Sequence, residues 1–168
     1  MPLIKNGSTV NDRWVTVAED ATLPGGDVPV IVDLARWRAD RDALIDRAGP
    51  VGERLASAEL AEEIAEDIGH LDLVALEFPM FKDGRAYSTA RLLRERYGFT
   101  GELRAVGNVL RDQFLFMHRC GFDAYEVADE EEAAAWSKVM AAYSVWYQPT
   151  ADGRAWAPRQ RQKKEAAE

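Results

Sequence analysis

Apolar and polar positions along this chain switch repeatedly between a two-residue and a near-four-residue period, and that switching predicts the elements. The run Val28-Pro29-Val30-Ile31-Val32 ends at Asp33 and reads as a buried strand, with its proline tolerated near the start. A charged helix is predicted over residues 37–47, with Leu44 and Ile45 inward, stopped by Pro50. Val51–Ala56 is the next strand. Ser57 then stands where a helix cap is expected, because Leu60, Ile64 and Ile68 recur every four residues while Glu62, Glu63, Glu66 and Asp67 fall on the opposite side. The alternation continues with a strand at Leu71–Phe78 and a helix at Tyr87–Tyr97, with Leu92 and Leu93 inward and Gly98 at its end. Gly101–Val106 reads as a strand, and Val109–Arg119 as a helix with Leu110, Phe114 and Met117 on one side, ended by Gly121. Phe122–Val127 is strand-like, and Asp129 caps a helix predicted to reach about Ala142.

Ahead of this series, Leu3-Ile4 and Thr9-Val10 flank Asn6-Gly7, a pair suited to a tight hairpin turn, and Trp14–Val17 suggests another short strand. Pro24-Gly25-Gly26 separates that β-rich entry from the alternating series. Strands alternating with helices of about ten residues predict βαβ units and an α/β fold with a mainly parallel sheet, open or partly barrel-like. The chain is short for an eight-unit barrel of about 250 residues, and periodicity does not choose the strand order. The expected organisation is a β-rich extension over 1–26, an α/β domain over 27–157 and a charged tail over 158–168 that has no apolar side to bury.

Composition narrows the classes of function. A chain of 168 residues, 47% hydrophobic and 30% charged, has enough apolar material for one globular domain. Its formal charge of −8 opposes general nucleic-acid binding, which needs clustered Lys and Arg, but leaves room for a local basic patch holding a small anion. Cys120 is the only cysteine, which excludes an intrachain disulfide framework or a multi-thiolate metal or iron–sulfur site within one chain. Without a signal-peptide pattern or a bilayer-length apolar run, the expectation is a cytoplasmic protein with no membrane partner.

The strongest candidate chemistry lies after Phe78, because the carboxyl ends of parallel strands and the adjoining loops form the usual functional face. There stand Glu77, then Lys82-Asp83-Gly84-Arg85, then Ser88 and Arg91 at a helix start. Arg85, Arg91 and first-turn N–H groups suit a carboxylate, sulfate or phosphate. The same residues equally suit a turn cap at Asp83, an ion pair of Arg85 with Glu77 or Asp83, and an ordinary solvated helix face. A second group comprises Arg104, Asn108, Arg111 and Asp112: Arg104 is placed to share the crevice of Arg85 if their strands are adjacent, Asn108 to cap a helix, and Asp112 to face its first turn. His118 and Cys120 stand two apart, a thiol–imidazole pair with no orienting group in view. Trp136, Tyr143, Trp146 and Tyr147 recur at near-helical spacing, for packing on the sheet or for a homodimer interface. Neither GxGxxG nor GxxxxGK[ST] occurs, so no nucleotide cofactor is expected.

The stretch from Phe78 to Val127 contains FP-x-F-x-DGR-x-YS-x-A, then GELRA-x-G-x-VLRDQ, then RCGFDA. It resembles the bacterial DUF934 family, uncharacterised proteins sometimes described as oxidoreductases of sulfite reduction, over about Val28 to Gln148. The family pattern falls here on Phe78, Pro79, Phe81, Asp83, Gly84, Arg85, Tyr87, Ser88 and Arg91, and later on Gly101 to Arg104, Gly107, Asp112 and Gln113. Met80, Ala86 and Asn108 depart from it, standing where lysine, glycine and aspartate are common. The resemblance implies a place beside assimilatory sulfite reductase and cysteine biosynthesis, without catalytic residues to carry over. It does not imply the six-electron reduction itself, whose siroheme and iron–sulfur centres need ligation that one cysteine does not supply. The leading expectation is therefore an accessory protein of sulfite reduction that binds a small anion or the reductase. The alternatives are a small enzyme acting on an anionic metabolite through DGR-x-YS, and a structural homodimer.

Overall fold

The computed structural model describes residues 1–5, 7–141, 146–150 and 157–158. The predicted hairpin forms β1 (Leu3–Lys5) and β2 (Ser8–Val10), joined through Gly7 at φ +87°. The series then runs β3 (Val15–Thr16), β4 (Val30–Asp33), α1 (Leu34–Ile45), β5 (Val51–Leu55), β6 (Leu73–Phe78), α2 (Arg85–Glu95), β7 (Glu102–Gly107), α3 (Phe114–Arg119), β8 (Ala124–Glu126) and α4 (Glu130–Ala141). The eight strands of the described residues lie in one sheet, ordered β2-β1-β8-β7-β6-β5-β4-β3.

From β3 to β8 every neighbouring pair is parallel and sequential in the chain. Each crossover therefore steps one place in the same direction, which puts the connecting helices on one face and curls the sheet into a half-barrel. The α/β class with a mainly parallel, partly barrel-like sheet is thus confirmed. The entry segment is woven into both edges: β1 pairs antiparallel with β8, Ile4 opposite Tyr125, and β3 lies beside β4.

Alternation along the strands divides the interior in two. One set, including Val32, Leu55, Leu76 and Tyr125, packs on the helix side with Trp37, Leu93 and Phe114. The other, Ile31, Leu73, Ala75 and Val106, forms a smaller concave cluster against Trp14. Helix starts obey local chemistry. Asp33 accepts from the Arg36 backbone N–H at 2.8 Å, and α1 begins just after it, three residues earlier than the charge pattern predicts.

One predicted helix is replaced and another, Val109–Arg119, is shortened to α3. Between β5 and β6, short 3-10 turns at Ala61–Ile64 and Ile68–His70 stand in place of one long helix. Glu59 and Glu63 accept from the backbone N–H groups of Ala56 and Leu60, and Asp67 is held by Trp37 and Arg41 of α1. These bonds fix a bent path that a straight helix does not take. Leu60 is left exposed rather than inward. After β7, a 3-10 turn at Arg111–Gln113 precedes α3, and its start carries no side-chain cap, so Asn108 is not a helix cap. Tyr143 and the tail from residue 159 lie outside the described residues.

Candidate functional site

The carboxyl ends of β4, β5 and β6 open onto a cleft of about 330 Å³ lined by Asp33, Ala35, Arg54, Ala56, Glu59 and Glu77. Arg54 faces the concave side of β5 and pairs with Glu77 at 3.0 Å. Beside it the β6–α2 loop is latched to the β5 exit. The Arg85 guanidinium donates to both carboxylate oxygens of Asp83, at 3.0 and 2.6 Å, and to the Ser57 hydroxyl at 2.9 Å. Asp83 also accepts from the Arg85 backbone N–H at 3.2 Å, and the Arg85 guanidinium holds its carboxyl well below the usual range. Asp83-Gly84-Arg85 is thereby a closed ion-paired turn.

Ser88 and Arg91 lie on the outer face of α2 instead. With Leu92, Glu95 and Arg96 they line a groove of about 390 Å³. Arg91 pairs with Glu95 one turn on and also reaches a second pocket, of about 440 Å³, lined by Phe116, Arg119, Cys120, Tyr147, Gln148 and Thr150. Arg119 donates to the Gln148 carbonyl at 2.6 Å and stacks over Trp146, its guanidinium carbon 4.4 Å from the ring centre. No carboxylate among the described residues pairs with Arg119. Phe116 is 58% exposed and Tyr147 82% exposed at the rim. Burial pushes the Cys120 thiol up, which favours an inert thiol over a thiolate nucleophile.

Arg104 is fully buried on the concave face, away from these surfaces. It bonds Asp12 at 2.7 Å, Glu102 at 2.7 Å and Glu126 at 3.2 Å, and Glu102 also pairs with Lys5 at 2.6 Å. Arg104 and Arg85 share no partner, although β6 and β7 are adjacent. Asn108 is exposed and its backbone N–H donates to the Phe78 carbonyl at 2.7 Å, while Asp112 is exposed in the 3-10 turn before α3. The structure thus joins Glu77 to Arg54 and Asp83 to Arg85, and separates Arg104, Asn108 and Asp112 from both.

Four residues not singled out from sequence are prominent here. Arg54 and Glu53 sit in a strand whose polar pair, Glu53-Arg54, breaks an otherwise apolar run; that interruption was the available signal. Glu53 is 0% exposed on the helix side, neither carboxylate oxygen has a partner among the described residues, and burial raises it to about 8. Asp12 reaches Arg104 across 92 positions of chain, and Arg119 meets Arg91 only through folding, so local sequence carries no trace of either.

Among the described residues no group of three or more His, Cys, Asp and Glu side chains is placed to hold a metal ion, and no helix is long and apolar enough to cross a membrane. The fold and its surfaces define a sequentially wound α/β half-barrel with an ion-paired carboxyl-end rim and a separate arginine–aromatic pocket. A family model described as a bacterial protein of unknown function, DUF934, matches residues 52–157, and the chain belongs to that family. The match begins inside β5, later than the motif-based limit near Val28, and extends past Gln148. No curated protein matches the chain, and no solved structure does.

Proposed function

We propose that this chain is an accessory protein of sulfite assimilation that binds a small oxyanion in the pocket between α2 and α3. The observation that carries the reading is the convergence of Arg91 and Arg119 on one pocket of about 440 Å³, with Arg119 held in place by a carbonyl and an indole rather than by a carboxylate. A guanidinium fixed in this way keeps N–H donors for an oxyanion, and the aromatic surroundings strengthen their attraction to it. Arg91 shares its fork with Glu95, as Arg85 and Arg104 do with their own carboxylates, so Arg119 is the member of the pair that supplies the donors and Arg91 adds its charge. The sulfite assignment rests on the family resemblance, and the pocket supplies the anion chemistry it calls for.

Tryptophan fluorescence provides the test, because Trp146 touches Arg119. Sulfite is expected to give a saturable change, and Arg119→Ala is expected to weaken binding at least about tenfold, the equivalent of one charge-assisted hydrogen bond. Co-sedimentation with assimilatory sulfite reductase tests the partner. Absence of both sulfite binding and reductase association would remove the proposal.

A further inference from the structure

The concave side of the half-barrel holds a second cavity, of about 170 Å³, with a chemistry of its own. Its floor is apolar, made by Ile31, Ala75 and Val106 from β4, β6 and β7. Its remaining lining comes from opposite sides: Arg54 on β5, Thr16 on β3 and Glu126 on β8, with Met1, 77% exposed, at the rim. Gly107 completes the wall at φ +88°, where an added Cβ meets the Phe78 carbonyl oxygen at 2.6 Å, so the close approach of the β7 exit to the β6 exit requires glycine. Arg54 also lines the carboxyl-end cleft, so one side chain belongs to both the concave-face cavity and that cleft.

The charges around this cavity are mixed. Arg54 makes one ion pair, with Glu77, and remains 41% exposed in its side chain; Glu126 meets Arg104 at 3.2 Å and remains 25% exposed. Both groups therefore keep hydrogen-bonding capacity toward the space between them. A simple anion drawn to Arg54 also meets Glu126 and Glu77, and a simple cation drawn to Glu126 also meets Arg54. A molecule carrying both charges satisfies both walls, and its small apolar part rests on the Ile31–Ala75–Val106 floor.

We propose that this cavity is a binding site for a small zwitterion of the α-amino acid class, with Arg54 on the carboxylate and Glu126 and the Thr16 hydroxyl on the ammonium. The volume lies below the roughly 300 Å³ at which ordinary small-molecule pockets begin, which limits the ligand to a short side chain and excludes a nucleotide or a large aromatic group. This site is separate from the Arg91–Arg119 pocket, and neither reading depends on the other.

The test is amide NMR of the full chain titrated with L-alanine, acetate and ethylammonium chloride, each to about 10 mM, a range that detects millimolar affinity. Saturable shifts at Ala75, Val106 and Gly107 are expected with L-alanine, with acetate and ethylammonium at least about tenfold weaker. Arg54→Gln and, independently, Thr16→Val are expected to weaken L-alanine binding while leaving the remaining spectrum in place; Thr16→Val keeps the test valid if Arg54→Gln disturbs the strand. The proposal is overturned by no saturable shift with L-alanine, by acetate or ethylammonium binding as tightly as L-alanine, or by binding that a folded variant of either residue leaves unchanged.

Discussion

Replacing Glu53 by glutamine isolates the most unusual group in the molecule. The side chain is 0% exposed on β5, beneath the 3-10 turns of the β5–β6 crossover, and neither oxygen has a hydrogen-bond partner among the described residues. Burial is the main cause of its raised pKa, with Glu59 and Asp67 adding to it and Arg38 opposing. The carboxyl titrates near 4.5 when exposed and near 8 in the folded chain. Between those values the unfolded chain releases this proton while the folded chain keeps it, so stability falls as pH rises. At about 1.4 kcal/mol per pH unit, the group's contribution is fully present below pH 4.5, about 3 kcal/mol of it is gone by pH 7, and the loss levels off above pH 8. Urea unfolding of the wild type and Glu53→Gln, monitored by far-UV circular dichroism from pH 5 to 9, reads this directly. The difference between the two proteins is expected to move in favour of Glu53→Gln by about 3 kcal/mol from acid to neutral pH, whatever offset the buried amide introduces. A difference constant to within about 0.5 kcal/mol across that range would refute the reasoning, because it would mean that Glu53 ionises as readily folded as unfolded.

Other perturbations separate the remaining features. Arg104→Met leaves Asp12, Glu102 and Glu126 around a vanished guanidinium and is expected to cost about 3–5 kcal/mol in urea unfolding; a loss below about 1 kcal/mol would contradict the buried ion-pair network. Gly107→Ala combines a φ of +88° with a 2.6 Å approach to the Phe78 carbonyl, so a loss of about 1–3 kcal/mol is expected from thermal unfolding. Trp37→Phe removes the indole donor from Asp67 and is expected to cost about 1–2 kcal/mol, with Asp67 rising toward its ordinary value by NMR titration. Asp12 lies below its ordinary value because hydrogen bonds and charge from Arg104, with backbone N–H groups, outweigh burial. Its stabilising contribution is therefore present above pH 3.8 and lost as pH falls below it, and Asp12→Asn is expected to flatten acid unfolding in that window.

The alternation of periods was enough to place every strand from β4 to β8 and to identify the α/β class, because strands buried on both faces and helices with one apolar stripe leave distinct local patterns. Strand order left no such pattern, since any sequence of βαβ units reads alike before folding. The β5–β6 crossover misled because its fourfold apolar spacing competes with bonds made elsewhere: Asp67 to Trp37 and Arg41, Glu59 and Glu63 to backbone N–H groups. The candidate loop was legible as a polar turn, and even its Asp83–Arg85 pair was among the expected roles. The contact of Arg85 with Ser57, and the convergence of Arg91 with Arg119, join positions 28 apart, beyond the reach of any local pattern.

The antiparallel seam between β1 and β8 has a consequence for how the molecule is made. The parallel strands can add one at a time in the order of synthesis, each beside the one before it. The hairpin at residues 3–10, although synthesised first, has no sheet partner until Ala124–Glu126 has emerged. Until then its edge is unpaired. The last strand of the described residues thus joins the hairpin to the sheet, and folding of the concave side waits for nearly the whole half-barrel.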